Sequence, residues 1–408
     1  MTLKPACAAL LGNRPRPGRS ARPAEERRNR DAGGPGTTEH ASSGDSRGLF
    51  ERRPGIHTSR MKRATEASVE APIAPVRWGV LGAAHIAVTK VIPAMQRSAM
   101  TPVVAIASRD HAKAQAAAHR LGIPRSYGSY EELIADPDVD AIYNPLPNHL
   151  HVPWSILAAE AGKHVLCEKP LALSAAEARQ LLEVRRRTGV QIGEAFMVRA
   201  HPQWAAVREL IAEGRIGELK AIAGHFSYFK RDPADVRSRP EWGGGALMDV
   251  GCYPITLSRW LFGEEPIEVT GVLEYDPEFK VDRVGSGLLR FPSGHATFTC
   301  GSQLVDYQRM QIYGTEGRIE VEVPYSPPHT RATRIFIDDG SEFAGENAEE
   351  VVFPAVDQYR LQAERFSEAV RGVGHVPTTL EDAIGNMAVI DALFRSVQSR
   401  RWESPADS

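Results

Sequence analysis

The chain has 408 residues, too many for one typical core, so two folded domains are expected. Its 42% hydrophobic content is that of a globular protein, and a formal net charge of -2 argues against a general binder of nucleic acid. No apolar run approaches the roughly 20 residues needed to span a bilayer, and the four scattered cysteines, Cys7, Cys167, Cys252 and Cys300, form no CxxC pair. That argues against a disulfide framework or a metal site and fits reduced thiols in a cytoplasm.

Residues 1–74 are rich in Arg, Pro, Gly, Ser and Glu and poor in apolar side chains. Such a segment buries too little surface to offset its ordering entropy, so a disordered extension is expected. Arg27-Arg28 is not followed by the apolar run of an export signal. Folded-looking sequence begins only at Val76, which makes Met61 an alternative start.

A nucleotide-binding domain is expected over 75–197. Residues 77–81 form a short apolar strand that runs into Gly82-Ala83-Ala84-His85-Ile86. The layout is G-x-G-x-x-G with alanine in the second and third glycine positions. Gly82 would let the chain turn tightly, and small residues after it would let a pyrophosphate approach a helix N-terminus. Taken alone, the stretch fits a packed strand–turn–helix equally well.

A second strand at 103–107 ends in Ser108-Arg109, where an NAD-preferring protein would place an acid on the ribose. A hydroxyl and a guanidinium suit a 2′-phosphate instead, which favours NADP. Asp110, one residue later, keeps NAD open. Helices follow at 111–121 and 130–134, then a strand at 139–143 leading to Leu146-Pro147-Asn148 and His151. A helix at 152–161 and a strand at 164–167 lead to Glu168-Lys169-Pro170. This alternation predicts a doubly wound parallel sheet whose ligand sits beyond the carboxyl ends of the strands.

A second domain is expected over 198–385. It has a helix at 202–214, a strand at 219–230 and a helix at 246–262. Strand-like segments follow at 267–275, 284–291, 295–301, 309–313 and 318–323, with helices at 356–372 and 379–400. Residues 386–408 are taken as a C-terminal helix and tail, and Thr378 or Thr379 as the last helix's N-cap. The predicted fold class is therefore α/β plus α+β: an N-terminal Rossmann domain and a C-terminal open-faced, mostly antiparallel sheet. An open sheet needs a cover, so self-association through it is expected.

The motifs GVLGAAHIA, ASR, PLPNHLH, AGKHVLCEKPLA and GGGALMDVGCYPI occur in this order, and the region from about 76 to 400 resembles the Gfo/Idh/MocA oxidoreductases. It is most similar to the branch of NADP-dependent aldose and dihydrodiol dehydrogenases. The resemblance implies homodimers or homotetramers formed by sheet packing. It places Lys169, Asp249 and Tyr253 in the catalytic site, with Asp249, Tyr253 and Arg237 on the substrate side. Gly82, Ala84, His85 and Ile86 would form the phosphate turn, and Ser108 and Arg109 would hold the 2′-phosphate. Leu146, Pro147, Asn148, His151, Glu168 and Arg199 would border the cofactor.

Oxidising an alcohol requires hydride transfer to the nicotinamide and proton transfer to a base. A tyrosine with its ordinary pKa of about 10 is a poor base near neutrality, and a neighbouring ammonium, Lys169, would lower that value. Asp249 and Tyr253 stand four residues apart, on one face of a helix. Asp249 would orient a sugar hydroxyl, pair with Lys169, or serve only as a structural partner.

The expected activity is NADP-dependent oxidation of a cyclic aldose such as D-xylose or D-glucose at C1 to a lactone. A sugar-ketone reductase, a trans-dihydrodiol dehydrogenase, an NAD-dependent glycoside hydrolase and a non-catalytic nucleotide sensor are the alternatives.

Overall fold

A computed structural model describes residues 73–407. The expected N-terminal extension and the alternative start at Met61 lie outside them, apart from the last two residues of the extension.

The first sheet contains β1 (Trp78–Leu81), β2 (Val103–Ala107), β3 (Arg125–Tyr127), β4 (Ala141–Asn144), β5 (His164–Glu168) and β6 (Ile192–Ala195). All its pairings are parallel, in the order β3-β2-β1-β4-β5-β6. The order reverses between β1 and β4, and in doubly wound sheets the crevice at that reversal holds the ligand. β1, β4 and β6 are buried along their full length, as expected of strands covered by helices on both faces. β3 has only three residues, too short for an apolar pattern to show.

The second sheet contains β7 (Leu219–Phe229), β8 (Glu268–Tyr275), β9 (Asp282–Arg290), β10 (His295–Gly301), β11 (Gln303–Gly314), β12 (Arg318–Val321), β13 (Thr333–Asp338) and β14 (Glu349–Phe353). Its order is β14-β13-β12-β11-β7-β10-β9-β8, antiparallel except for the β7–β10 pair. Along β10, Ala296, Phe298 and Cys300 are buried while His295 and Thr297 are exposed. That period of two puts one face on the core and leaves the other open. β13 and β14 were not foreseen: in β13 Ile335 and Ile337 do alternate with Arg334 and Phe336, a signal that was passed over, while β14 is five residues with two leading glutamates and no buried position.

The last helix runs unbroken over Leu380–Ser399, so the expected boundary at 385/386 falls inside it. Thr379 is its N-cap, accepting from the Asp382 N–H. The helix expected over 246–262 is two pieces: a π-helical turn, Leu247–Gly251, and an α-helix, Cys252–Phe262. Asp282 anchors its start by accepting the Leu247 N–H at 2.6 Å. Gly245, at φ +110°, lies so close that a Cβ there would be 2.0 Å from Asp282 Oδ1. Only glycine fits there. Single π-turns inside α-helices occur frequently at functional sites, and this one carries Asp249.

Candidate active site

A cleft of about 940 Å³ opens at the carboxyl ends of β1, β2, β4 and β5 and extends to β7 and the π-turn. At one end, Gly82 adopts φ +82°, and its N–H donates to the Ala107 carbonyl at 2.7 Å. A Cβ on Gly82 would come within 3.0 Å of Leu146 Cδ2. Both the backbone angle and the close approach require glycine. Ala84, His85 and Ile86 line the cleft just after it, at the start of helical turns that continue to Met95.

Ser108 and Arg109 line the same end. Asp110 also lines this end, and its Oδ1 caps the helix His111–Leu121 by accepting the Lys113 N–H at 3.3 Å. Lys113 joins Ser108 and Arg109 in the lining. It passed unnoticed in an alanine-rich helix, although its place in the first turn after Ser108-Arg109 is the signal that could have found it.

Leu146, Pro147, Asn148, His151 and Glu168 form the middle of the cleft. The fully buried His151 has ring nitrogens 2.8 Å from the Pro170 carbonyl and 2.7 Å from the Leu146 carbonyl, tying the two loops together. Burial pushes its pKa down to about 4, so the ring is neutral and donates to one of the two. Glu168 Oε1 accepts the Tyr143 hydroxyl at 2.6 Å. A loop from the second domain reaches across: Asn148 Nδ2 donates to the Gly243 carbonyl at 2.9 Å, and Trp242 stacks on His149 with ring centroids 5.3 Å apart.

At the far end the structure brings Lys169, Asp249 and Tyr253 together. Lys169 Nζ donates to Asp249 Oδ1 at 3.0 Å and to the Asp249 carbonyl at 2.6 Å. Asp249 Oδ2 accepts from the Tyr228 hydroxyl at 2.6 Å and from Arg237 Nε at 2.8 Å. Burial would raise the Asp249 carboxyl, but the Arg237 and Lys169 charges outweigh it and hold the group well below the usual carboxylate range. Lys169 is likewise pushed down by burial and up by Asp249, with a net rise above the ordinary lysine value.

Tyr253 is 4% exposed, edge-on to Phe196 and Phe226. The Lys169 ammonium lies over its ring, 5.1 Å from the centroid, and the Tyr253 hydroxyl donates to Met197 Sδ at 3.5 Å. Burial pushes the phenol well above its ordinary value. The expected lowering of the Tyr253 pKa by Lys169 is therefore not what this arrangement produces. Asp249 takes the ammonium away from the hydroxyl, and the aromatic surroundings favour the neutral phenol.

Arg199 is a second correction, since it does not line the cleft. Its buried guanidinium contacts Asp382 at 2.5 Å, donates to Thr256 Oγ1 at 3.0 Å and lies over the Trp260 ring. Tyr228 and Tyr359 line the cleft from β7 and the helix Gln358–Val370. Nothing in their local sequence marks them.

A glycine turn at the switch point of a parallel sheet, a polar basic pair after β2 and a Lys–Asp–Tyr cluster opposite define an oxidoreductase that uses a nicotinamide dinucleotide. Residues 76–196 match the model of the oxidoreductase family with an NAD-binding Rossmann fold, and 204–320 match the Gfo/Idh/MocA C-terminal domain. The chain belongs to the Gfo/Idh/MocA family.

An uncharacterised oxidoreductase of Rhizobium meliloti is 49% identical over 81% of this chain and 99% of its own length. An NADP-dependent D-xylose 1-dehydrogenase of Haloferax volcanii is 38% identical over 79% of this chain and 97% of its own. A 3-ketoreductase from Actinomadura kijaniata, solved with NADP and TDP-benzene, superposes with a TM-score of 0.74. It is 34% identical, covering 79% of this chain and 97% of its own. Among the described residues no helix is long and apolar enough to cross a membrane.

Proposed function

We propose that the protein transfers hydride between C1 of a free cyclic aldose, such as D-xylose or D-glucose, and NADP, giving the lactone. The observation that carries this reading is the charge pairing at the substrate end. Three cations, Lys169, Arg237 and Lys230, share two carboxylates, Asp249 and Asp235, which leaves one net positive charge. One net positive charge falls short of the two negative charges of a diphosphate, whereas hydrogen-bonding side chains suit neutral hydroxyls.

NADP as the cofactor fits the Gly82 turn and the Ser108, Arg109 and Lys113 donors, with Asp110 held in a helix cap. The bound nicotinamide supplies the hydride acceptor. An ammonium has three N–H bonds, and two of those on Lys169 go to Asp249. The third is available to the reacting oxygen of the sugar. Tyr253 exchanges the proton of that oxygen: during oxidation it accepts as the phenolate, its own proton having first passed to solvent, and during reduction it donates as the phenol. Asp249 keeps Lys169 charged and in place.

The A. kijaniata reductase gives this pairing further support. Three of its solved forms each carry one replacement, of a tyrosine in one and of a lysine in two, and these two positions are separated along that chain by the same number of residues as Lys169 and Tyr253 here. The neutral Tyr253 phenol favours a second reading, reduction of a sugar ketone, because a protonated acid is what carbonyl reduction requires. The deciding experiment measures NADPH formation from free aldoses beside NADPH consumption with a dTDP-linked ketosugar. Turnover with the nucleotide sugar alone refutes the aldose reading.

Self-association through the open sheet face belongs to the same reading. Val272 is 74% exposed and Tyr307 48% exposed on that face. A monomeric mass by light scattering at assay concentration contradicts it.

A further inference from the structure

The backbone that follows Lys169 leaves the end of β5 and must hold the lysine in the cleft without a neighbouring strand to pair with. Two buried side chains grip it. His151 contacts the Pro170 carbonyl at 2.8 Å, and Glu194 Oε1 accepts the Leu171 N–H at 2.8 Å. Leu171 is fully buried and Glu194 is 2% exposed, on β6 directly beside Cys167 of β5.

A carboxyl in that position is costly. Its strand neighbours Ile192 and Ala195 are each 1% exposed, and an apolar residue would fill the space more cheaply. The charged groups facing it are engaged elsewhere. From the turn Met197–Ala200, Arg199 binds Asp382 and Thr256. From the helix Cys252–Phe262, Arg259 binds Glu265 and Asp382. Asp382 itself approaches from the helix Leu380–Ser399. Glu194 Oε2 has no hydrogen-bond partner among the described residues. Arg199 and Arg259 act on the carboxyl only through space, and its one hydrogen bond among the described residues is from the Leu171 amide, which would otherwise be a buried orphan donor.

We propose that Glu194 is a positioning residue for Lys169, holding through the Leu171 amide the segment that carries the ammonium to the reacting oxygen. The proposal rests on the reading of Lys169 as catalytic. Burial pushes the Glu194 carboxyl up to about 8, so near neutrality it acts as a neutral acceptor, a state that glutamine reproduces in shape and hydrogen bonding.

The test compares Glu194→Met, which has no acceptor, with Glu194→Gln, which keeps one, in the full-length protein. Hydrogen exchange at the Leu171 amide, which needs no substrate, should speed up by about tenfold or more in Glu194→Met and stay protected in Glu194→Gln. Turnover with NADP and a free aldose that the wild type oxidises should fall about tenfold or more in Glu194→Met and recover in Glu194→Gln, because small displacements of a catalytic group are costly. In a Lys169→Met background, Glu194→Met should cause no further loss, since coupled residues are not additive.

Unchanged Leu171 exchange in Glu194→Met overturns the brace itself. An equal further loss in the Lys169→Met background shows a general structural role and overturns the link to the lysine. Normal turnover of Lys169→Met alone overturns the catalytic reading, and with it the proposal, while Leu171 exchange still reports on the contact. Should Glu194→Met not fold, Glu194→Thr, polar but too short to reach the amide, carries the same expectations.

Discussion

Lys169 and Asp249 are joined twice, from Nζ to the carboxylate at 3.0 Å and from Nζ to the backbone carbonyl at 2.6 Å. The carbonyl contact depends on the π-turn Leu247–Gly251, where the helical ladder is wider than in an α-helix and carbonyls are free to accept from side chains. The ammonium is thereby fixed in direction as well as in charge.

Removing the carboxylate should separate these two effects. In Asp249→Asn the burial that lowers the Lys169 pKa is no longer opposed by its main counter-charge. The alkaline limb of the kcat/KM profile should move to lower pH, and turnover should fall by about 10²-fold. A profile unchanged in position would mean that Asp249 does not set the lysine's charge.

Cofactor choice is tested at Arg109. Arg109→Ala should weaken NADP binding by about tenfold or more, by loss of a charge-assisted contact to the 2′-phosphate, and leave NAD binding unchanged. Fluorescence titration of both dinucleotides checks this. An equal loss for both would place Arg109 on a shared part of the cofactor.

His201 predicts an acid-labile step in stability. It is 2% exposed, and its Nδ1 caps the helix Pro202–Ala212 by accepting the Gln203 N–H at 3.3 Å, a role that requires an unprotonated nitrogen. Burial lowers its pKa from 6.5 to about 4. A histidine held neutral in the fold contributes its stability above pH 6.5, and that contribution is lost as pH falls toward 4. At pH 5 the loss should be about 2 kcal/mol. His201→Asn keeps the cap without titrating, so its melting temperature should drop less between pH 7 and pH 5 than that of the wild type.

Most of the first sheet and the core of the site could be read from the chain, because they rest on local signals. Gly82 after an apolar strand, Lys169 before a proline, and Asp249 four residues ahead of Tyr253 each stand in a short window. What escaped depends on partners distant in sequence. Arg199 lies near the cofactor segment in the chain, yet Asp382, some 180 residues away, pulls its side chain into a buried cluster. The phenol of Tyr253 was expected to feel Lys169, but Asp249 captures the ammonium and Met197 receives the hydroxyl. Tyr228 reaches Asp249 only because β7 crosses beside the π-turn. β14 pairs with β13 through its backbone and fully buries none of its own side chains, so no apolar alternation announced it.

The central claim is that Tyr253 exchanges the proton while Lys169 and Asp249 hold the reacting oxygen. Its most direct test is steady-state NADPH formation from D-xylose or D-glucose by the wild type and by Tyr253→Phe. Among the described residues the Tyr253 hydroxyl has only the Met197 sulfur as a hydrogen-bond partner, so the substitution should leave folding and NADP affinity intact. Turnover should fall by at least about 10²-fold, the scale of a lost acid–base group. Turnover in Tyr253→Phe close to that of the wild type would contradict the account.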